Sequence, residues 1–427
     1  MSSDWQESAP EMGIGTYGDM QTPPKADKPA PRKSDPQVKR LLEIRQELSK
    51  ASTAKYKALI NGLDGVDHIR SLLMYHGAGT GRWTAKRFQP QNLPSRGLAV
   101  DAEGVDGAIA AAKVGLLEEL YSDVMGVASA CIRGMLIASP GHRFISADFS
   151  AIEGRVLAWM AGEEHVLQAY VEGKRLYCVA AAGIYKVPYE EINEGRKHDP
   201  KYKKMDSIGK VIELACGYQG SVGAFKAMAE GYGVEVPEDE AKEAIYAWRE
   251  SRPLTVALWR GMEQAAIEAV MSPGTVTTYQ MVKFKVIGKY LLMKLPSGRF
   301  LYYFNPNVEE KEMPWKDDQG NPCYKDCVSY WAVDSYTKKW SKCWGYGGLW
   351  TENAVQAVAR DLMASAMLRV EAAGYPVVLT VHDELVSEAP VDHGSVEDYV
   401  KIMCDSPAWA AGCPVAAEGW SGPRYRK

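Results

Sequence analysis

Acidic side chains stand where an apolar, strand-like segment passes into a helical pattern. Asp148, Ser150, Glu153 and Arg155 follow the run Phe-Ile-Ser-Ala and precede apolar residues at helical spacing. A carboxylate at the mouth of a buried strand needs a partner to stay ionised, and a divalent cation is a common one. A surface turn in which Asp148 and Ser150 cap the helix would use the same residue types. This stretch alone therefore leaves metal binding and helix capping both open.

A second ionisable group interrupts a predicted strand hairpin. His382, Asp383 and Glu384 follow the apolar strand 375–381, and they form either a functional site or a polar turn. Strands of one sheet can bring Asp383 next to Asp148 although the two are distant in sequence. Opposed carboxylates repel unless cations lie between them. Two Mg²⁺ ions held by two carboxylates, with Mn²⁺ as the alternative ion, are what in-line phosphoryl transfer requires.

Between the two acidic groups lies a helical segment rich in cations. Arg196–Lys204 is a dense basic run, and Lys210, Leu214 and Tyr218 recur every four residues along one side of a predicted helix. A solvated charged face with a Lys–Tyr pair at the core edge would explain the pattern without any function. Cations that grip phosphates beside a ring that stacks on a base would explain it as well.

The composition is that of an ordinary globular protein with two or three subdomains, since 46% of the 427 residues are hydrophobic and 24% are charged. The net charge of −4 neither indicates nor excludes nucleic acid as a partner. Without a signal segment or a membrane-spanning run, the sequence predicts a soluble intracellular protein. The polar, Pro-rich residues 1–36 predict a disordered tail. Helical patterns cover 104–136 and most of 156–300, whereas 276–306 look like strands.

A Gly-rich turn and an extended segment add further polar groups. The turn delivers Arg82, and the extended segment carries Gln91 and Asn92. Guanidinium and amide groups hydrogen-bond base edges or sugars. They serve equally well in loop packing, so both interpretations stay open.

Taken together and in order, these motifs resemble those of DNA polymerase family A, the group of bacterial DNA polymerase I, and most closely its phage-type members. The resemblance covers roughly residues 37–427. The matching segments are Thr80–Arg82, Gln91–Asn92, Asp148–Arg155, Lys210–Gly220, Asn353–Gln356 and Val381–Glu384.

The resemblance implies a template-directed DNA polymerase that adds deoxynucleotides to a primer 3′ end by two-metal phosphoryl transfer. Asp148 and Asp383 would hold the two Mg²⁺ ions together with the backbone carbonyl of Phe149. Glu384 and Arg155 would support the metal site from behind its ligands.

The resemblance also implies contacts to the nucleotide and to DNA. Glu153 would exclude a 2′-hydroxyl, Tyr218 would stack near the templating base, and Lys210 would bind the triphosphate and protonate the leaving pyrophosphate. Two further implied nucleotide-binding residues are Ser150 and Leu214. Those implied to bind primer and template are Arg82, Gln91, Asn92, Asn353, Gln356 and His382.

Three positions depart from the family pattern. Asp206 stands where the family usually has an Arg four residues before the fingers Lys, so Arg196, Lys203 or Lys204 would have to compensate. Leu214 stands where the family often has an aromatic residue. Tyr177 lies near the place at which some relatives have a His that touches the triphosphate.

The implied fold is an α+β right-hand polymerase with an antiparallel palm sheet, helical fingers and a reduced thumb. The expected divisions are a tail at 1–36, a thumb base with primer- and template-binding segments at 37–100, palm at 101–165 and 289–427, and fingers at 166–288. Primer-template DNA and dNTPs are the implied partners, in the cytoplasm of a bacterium or a phage-infected cell, with no membrane partner.

We also expect no proofreading exonuclease within this sequence, and a separate exonuclease-bearing, thumb-bearing or processivity subunit. Two alternatives stay open. A single-subunit RNA polymerase is disfavoured by Glu153, and a non-catalytic polymerase-derived DNA-binding subunit is disfavoured by the presence of both acids.

Overall fold

The computed structural model describes residues 54–94, 100–101, 103–317, 319–334 and 337–426. The predicted tail at 1–36 lies outside these ranges. Within them, no helix is long and apolar enough to cross a membrane.

Fourteen helices are labelled in chain order over the described residues. They are α1 Ala54–Gly62, α2 Val105–Lys113, α3 Leu117–Leu120, α4 Val124–Cys131, α5 Ile152–Ala161, α6 Glu164–Val171, α7 Leu176–Tyr185, α8 Tyr189–Gly195, α9 Pro200–Cys216, α10 Val222–Gly231, α11 Glu238–Ser251, α12 Pro253–Met271, α13 Gly347–Ala372 and α14 Val396–Cys404.

Strands are labelled in the same way and over the same ranges. They are β1 Leu73–Met74, β2 Thr84–Ala85, β3 His142–Phe149, β4 Thr277–Tyr279, β5 Val282–Ile287, β6 Tyr290–Lys294, β7 Phe300–Lys316, β8 Pro322–Val333, β9 Trp340–Trp344, β10 Val377–Val381, β11 Glu384–Pro390 and β12 Ala417–Gly422.

The chain divides into two compact units, named here by their main sheets. Of the described residues, the four-stranded unit contains those up to 152 together with 359–407 and 415–426. The six-stranded unit contains 153–358 and 408–414.

The four-stranded unit is built on an antiparallel sheet of order β10-β11-β3-β12. Its central strand β3 has Ile145, Ser146 and Ala147 almost fully buried, since α14 packs against β3 and β12. Phe144 and Val386 belong to an apolar cluster of the same unit. Burial on both faces explains why this strand appears in the sequence as a nearly continuous apolar run rather than as an alternation.

The six-stranded unit combines helices α6–α12 with an antiparallel meander that runs β4-β5-β6-β7-β8-β9. One face of the meander buries Phe284, Leu291, Met293 and Leu301, and strands β5 and β7 pack against α12. The opposite face carries lysines, aromatic rings and a few aliphatic side chains, and several of these side chains are exposed, as expected for a sheet with one solvated face.

Helix α9 begins with Asp199, whose side chain accepts a hydrogen bond from the Lys201 amide, and with Pro200 in the first turn. Both are residue types that favour a helix start. Its buried stripe includes Ile208 and Ile212. Gly209 lets α7 approach closely, because a Cβ there would lie 2.0 Å from the Tyr177 carbonyl oxygen.

The structure confirms the predicted strands within 276–306 and most of the predicted helices. Between residue 306 and the predicted strand 375–381 the sequence analysis predicted no strands, yet β7 continues to Lys316 and β8 and β9 follow. The long β7–β8 hairpin carries many charged side chains, so its apolar periodicity is weak and cross-strand pairing defines it instead. The predicted boundary between fingers and palm at 288 falls in the tight turn between β5 and β6.

Candidate active site

The sheet of the four-stranded unit brings the two predicted metal-binding acids together. Asp148, near the end of β3, is paired in register with Glu384, the residue that follows Asp383. The Phe149 amide donates a 3.1 Å hydrogen bond to the Asp383 carbonyl oxygen. Arg82 also reaches this group, since its Nη2 lies 3.5 Å from Asp383 Oδ1. Residues far apart in sequence therefore converge on one end of the sheet.

Asp383 lies in the two-residue loop between β10 and β11, where Val381 pairs with Glu384. The other loop residue, His382, has a φ of 56°. Tight hairpins commonly need a positive φ at this position, and a side chain held there stores backbone strain. His382 Nε2 also lies 3.0 Å from the Gln91 carbonyl oxygen. The predicted hairpin is confirmed, and its ionisable loop is held in one conformation.

Glu384 is buried next to this loop and accepts hydrogen bonds from two hydroxyl groups. Ser146 Oγ donates to Oε1 at 2.7 Å, and the Tyr425 hydroxyl donates to Oε2 at 2.7 Å. Arg133 Nη1 donates to the Tyr425 oxygen at 3.0 Å. Burial, together with the Glu384 carboxylate, raises the pKa of Tyr425, so the phenol keeps the proton that it donates. Sequence reasoning did not identify Ser146, Tyr425 or Arg133, which no common motif or spacing connects.

The donor set at this end of the sheet fits Mg²⁺. Two carboxylates, Asp148 and Asp383, with the nearby backbone carbonyl of Phe149, offer the hard oxygen ligands that this ion prefers. The described residues contain no group of three or more His, Cys, Asp or Glu side chains that could hold a metal. A magnesium site here would therefore rest on two carboxylates, as the sequence motifs imply, and not on a closed cage of protein ligands.

In the six-stranded unit, Lys210 on α9 lies among aromatic rings. Its Nζ is 4.5 Å from the centroid of the Tyr232 ring and 5.8 Å from that of Tyr177. The close approach at Gly209 is what places α7, and with it Tyr177, beside this lysine. Ring faces attract a cation without neutralising it. These ring contacts would therefore not prevent Lys210 from attracting an anionic ligand.

Asp206, one turn before Lys210 on α9, forms a bidentate ion pair with Arg175. The guanidinium donates to Asp206 from Nε at 2.7 Å and from Nη2 at 3.0 Å. The same guanidinium lies 4.9 Å from the centroid of the Tyr177 ring, which Lys210 also approaches. The unexpected acid at position 206 thus holds an arginine that lies just before α7.

Two cations of the basic run contact other side chains. Lys204 Nζ lies 3.7 Å from a carboxylate oxygen of Glu240, and Arg196 Nε donates to the Asn193 side chain at 3.3 Å. Sequence reasoning looked to Arg196, Lys203 or Lys204 for a compensating cation and did not identify Arg175, which pairs with Asp206. The two members of the Arg175 pair are 31 positions apart, so only the packing of α7 on α9 reveals it.

Glu153, which is expected to exclude a 2′-hydroxyl, also has a hydrogen-bond partner. The Tyr218 hydroxyl donates to Glu153 Oε2 at 3.0 Å, which joins two residues predicted to contact the nucleotide. Leu214 is exposed on α9, on the side of the helix that its spacing predicts. Arg155 is buried, donates from Nη1 to the Pro414 carbonyl oxygen at 2.8 Å and lies 4.4 Å from the centroid of the Tyr170 ring.

The remaining predicted site residues fall in both units. In the four-stranded unit, the Ser150 amide donates to the Ala416 carbonyl oxygen at 2.9 Å, and Gln91 Nε2 donates to the Trp83 carbonyl oxygen at 3.2 Å. Asn92 Nδ2 donates to Gln89 Oε1 at 3.4 Å.

In the six-stranded unit, Asn353 Nδ2 donates to the Tyr303 hydroxyl at 3.0 Å, and Gln356 Nε2 donates to Glu352 at 3.0 Å. Sequence reasoning missed Arg360 of the four-stranded unit. Its Nε donates to the Gly81 carbonyl oxygen at 2.9 Å and its guanidinium stacks on the Trp83 ring, which fixes the turn that presents Arg82.

Comparison with known proteins identifies the family to which this sequence belongs. Residues 26–278, more than half of the chain, match the family described as DNA polymerase family A. The chain belongs to DNA polymerase family A.

Two relatives illustrate the range of similarity within the family. The DNA polymerase of Bacillus phage SP02 is 36% identical over 395 residues, which are 92% of this chain and 58% of the phage protein. The thermostable DNA polymerase I of Thermus aquaticus is 26% identical over 263 residues, which are 61% of this chain and 24% of that enzyme. This family A chain thus spans less than two thirds of the length of either relative.

Among solved structures, the chain is similar to the POL domain of Pol1 from M. smegmatis, which was determined in complex with DNA primer-template and dNTP. The TM-score is 0.58 at 17% identity, and the match covers 91% of this chain and 53% of the other. The expected α+β polymerase fold, with an antiparallel sheet that carries the acids and with a helical region beyond it, is confirmed. The subdomain boundaries and the reduced thumb stay predictions.

Proposed function

We propose that this chain is a template-directed DNA polymerase that extends a primer 3′ end with deoxynucleotides by two-metal phosphoryl transfer. The observation that carries the proposal is the pairing of β3 with β11, which places Asp148 beside the loop that holds Asp383. Membership of DNA polymerase family A and the fold shared with a polymerase domain support a role for this carboxylate pair in DNA synthesis.

Asp148, Asp383 and the Phe149 carbonyl oxygen would hold two Mg²⁺ ions in this proposal. Such ions, when bound, activate the primer 3′-hydroxyl and stabilise the charge that develops on the phosphates. The protein would position the two carboxylates by pairing β3 with β11 next to the loop that holds Asp383, and by the hydrogen bond from Ser146 to Glu384.

Lys210 and Arg175 would bind the triphosphate. Both cations lie against the Tyr177 ring, and Asp206 fixes the plane of the Arg175 guanidinium through Nε and Nη2. Because Asp206 occupies Nε and Nη2, Nη1 would be the nitrogen that donates to a phosphate oxygen, a partner that suits a guanidinium. Lys210 would also donate a proton to the departing pyrophosphate.

Glu153 would select deoxynucleotides by occupying the space that a 2′-hydroxyl needs. The hydrogen bond from Tyr218 supports this role, because it restricts the rotamers of the Glu153 side chain. A fixed carboxylate excludes a hydroxyl group more effectively than a mobile one, since it cannot turn away. Selection by Glu153 favours a DNA polymerase over the alternative of an RNA polymerase.

The proposed contacts of Arg82, Gln91, Asn92, Asn353, Gln356 and His382 with primer and template remain part of this proposal. So does a separate exonuclease-, thumb- or processivity-bearing partner. Gel filtration of the chain mixed with candidate partners tests the latter, and long extension by the chain alone at physiological salt would contradict it.

The test of the main proposal is primer extension with Mg²⁺, with dNTPs or NTPs as substrates. The wild-type chain is expected to incorporate dNTPs, whereas Asp148→Ala and Asp383→Ala should each slow extension by about 10³-fold or more, because metal ions supply several kcal/mol of charge stabilisation. Both variants should still bind primer-template DNA.

Asp392→Ala is the matched control, because Asp392 is an exposed carboxylate just after β11 in the same unit. It should extend primers at the wild-type rate. Unchanged extension by either active-site variant would refute the metal assignment, and a wild-type preference for NTPs would point to the RNA polymerase alternative. Wild-type DNA binding without any extension would favour the non-catalytic subunit.

A further inference from the structure

The solvated face of the six-stranded sheet carries a continuous series of aromatic rings. Phe300 contacts Tyr302 at 6.4 Å between centroids, Tyr302 contacts Tyr290 at 6.2 Å, Tyr290 contacts Phe304 at 5.4 Å and Phe304 contacts Trp340 at 6.0 Å. We call these five side chains the ring series.

The ring series is exposed to an extent that packing does not explain. Tyr302 is 62% exposed, Trp340 57% and Tyr290 43%. Successive side chains of a strand point to opposite faces of the sheet. The core of the unit is therefore filled by side chains of the other face, such as Leu291 and Leu301. Contiguous exposed rings of this kind commonly mark a binding surface.

Lysines continue the same face beside the rings. Lys283 on β5 pairs in register with Lys294 on β6, which pairs with Phe300 on β7. Thr278 on β4 completes this row, so no acid belongs to it. Like charges directly opposite each other on a sheet are destabilising, and an anion between them would relieve the repulsion.

The sequence around these strands is strongly skewed towards positive charge. Residues 269–308 contain four Lys and one Arg but no Asp or Glu, although acids make up 54 of the 427 residues. The nearest acid on the ring-bearing face, Glu309 of β7, is already paired with Lys342 at 2.8 Å. This face therefore combines aromatic rings with two lysines, Lys283 and Lys294, that form no ion pair within the described part of the chain.

We infer that this face binds single-stranded DNA, with bases stacked on the ring series and phosphates held by Lys283 and Lys294. Single-stranded nucleic acids are recognised by this combination of stacking rings and cations, whereas the bases of a duplex already stack on each other. A protein partner is disfavoured, because the cores of protein interfaces are depleted of charge and the paired lysines would be buried there.

The inference rests on the proposed function only where it identifies the bound strand as the template. Binding itself needs neither Mg²⁺ nor nucleotides. The direct test is therefore the fluorescence anisotropy of a labelled oligo(dT) of about 20 nucleotides, long enough for a typical single-strand site, titrated with the full chain in the absence of both. The titration is repeated over a series of salt concentrations.

The double variant Tyr302→Ala/Trp340→Ala should bind the oligonucleotide about tenfold or more weakly at every salt concentration, because base–aromatic stacking contributes substantially at each base. The variant Lys283→Gln/Lys294→Gln should also bind more weakly. Its plot of log affinity against log salt should lose about 1.4 of slope, since each phosphate contact to a single strand contributes about 0.7.

Tyr246→Ala on α11 and Lys113→Gln on α2 are the matched controls, since both side chains are exposed and neither belongs to the six-stranded sheet. Both should bind as the wild-type chain does. Thermal unfolding should be unchanged in all variants, because the substituted side chains are solvated.

Wild-type affinity in the aromatic double variant would overturn the inference. So would an equal loss in Tyr246→Ala. If the wild-type chain elutes as a dimer and the aromatic variant as a monomer with unchanged oligo(dT) binding, the face is a protein interface and the inference is wrong. Failure of the proposed function is a separate result, since a chain that never extends primers can still lose oligo(dT) binding in these variants.

Discussion

Two groups of charged residues, one in each unit, are held in different ways. In the four-stranded unit, Glu384 is only 1% exposed and accepts hydrogen bonds from Ser146 and Tyr425, which are 238 and 41 positions away in sequence. In the six-stranded unit, Arg175 and Lys210 are partly solvated and rest on the faces of tyrosine rings. The Glu384 group is enclosed in a hydrogen-bond network, whereas the Arg175 and Lys210 group is partly open to water.

This difference agrees with where the chain departs from the family pattern. Asp206, Leu214 and Tyr177 all belong to the six-stranded unit, whereas the acidic motifs of the four-stranded unit match the family. A buried ion tolerates little change, because the loss of one partner leaves the others unsatisfied. A solvated ion pair can be exchanged for another at small cost. The three departures therefore lie in the unit whose Arg175 pair is partly open to water.

Glu384→Ala is the substitution expected to have the largest effect on stability. It removes the acceptor of two buried hydroxyl groups beside Arg133, and we expect a loss of about 3 kcal/mol in the free energy of unfolding. Urea denaturation followed by circular dichroism measures it. Asp206→Ala is the matched substitution in the other unit and should cost less than about 1 kcal/mol.

Glu384→Gln serves as a control, because it keeps the volume and one acceptor oxygen and should lose less stability than Glu384→Ala. Equal unfolding midpoints for Glu384→Ala and Asp206→Ala would show that the enclosed Glu384 and the partly solvated Asp206 contribute equally to stability.

The sequence was sufficient to predict the parts of the site that short segments encode. The strand ending at Asp148, the hairpin around Asp383 and the helical stripe with Lys210 all carry local apolar periodicity, and the structure contains each of them. The pairs that depend on tertiary packing were not predictable in this way. Arg175 meets Asp206 only because Gly209 lets α7 approach α9, and a glycine within a helical pattern does not reveal which helix packs against it.

The same limit explains the β7–β8 hairpin. Apolar periodicity indicated strands as far as residue 306, where the buried side chains alternate with exposed ones. Beyond it the strands are stabilised by pairs such as Lys325 with Glu263 on α12, which sequence spacing does not reveal. Local patterns predict elements, and contacts between elements have to be observed.

Arg175→Ala should raise the KM for dNTPs by about 10- to 100-fold, because a hydrogen bond to a charged group contributes about 1.5–3 kcal/mol. Stability should change little, since the guanidinium is partly solvated. Steady-state primer extension at varied dNTP concentration measures the effect. The exchanged variant Arg175→Asp/Asp206→Arg keeps the ion pair and should recover part of the loss. An unchanged KM in Arg175→Ala would show that the pair is only structural.

Tyr218→Phe should have the smallest effect of these substitutions. It tests directly whether a hydrogen bond holds Glu153 in the six-stranded unit. It removes one hydroxyl that fixes Glu153, at a cost of about 1 kcal/mol, so the preference for dNTPs over NTPs should fall about fivefold. The ratio of kcat/KM for the two substrate types measures it. Glu153→Gln keeps the size of the side chain and its bond to Tyr218, so it should retain most of the selection if bulk excludes the 2′-hydroxyl. If Tyr218→Phe leaves the ratio unchanged, Glu153 is positioned by packing alone. The six-stranded unit would then hold this charged side chain as firmly as the four-stranded unit holds Glu384.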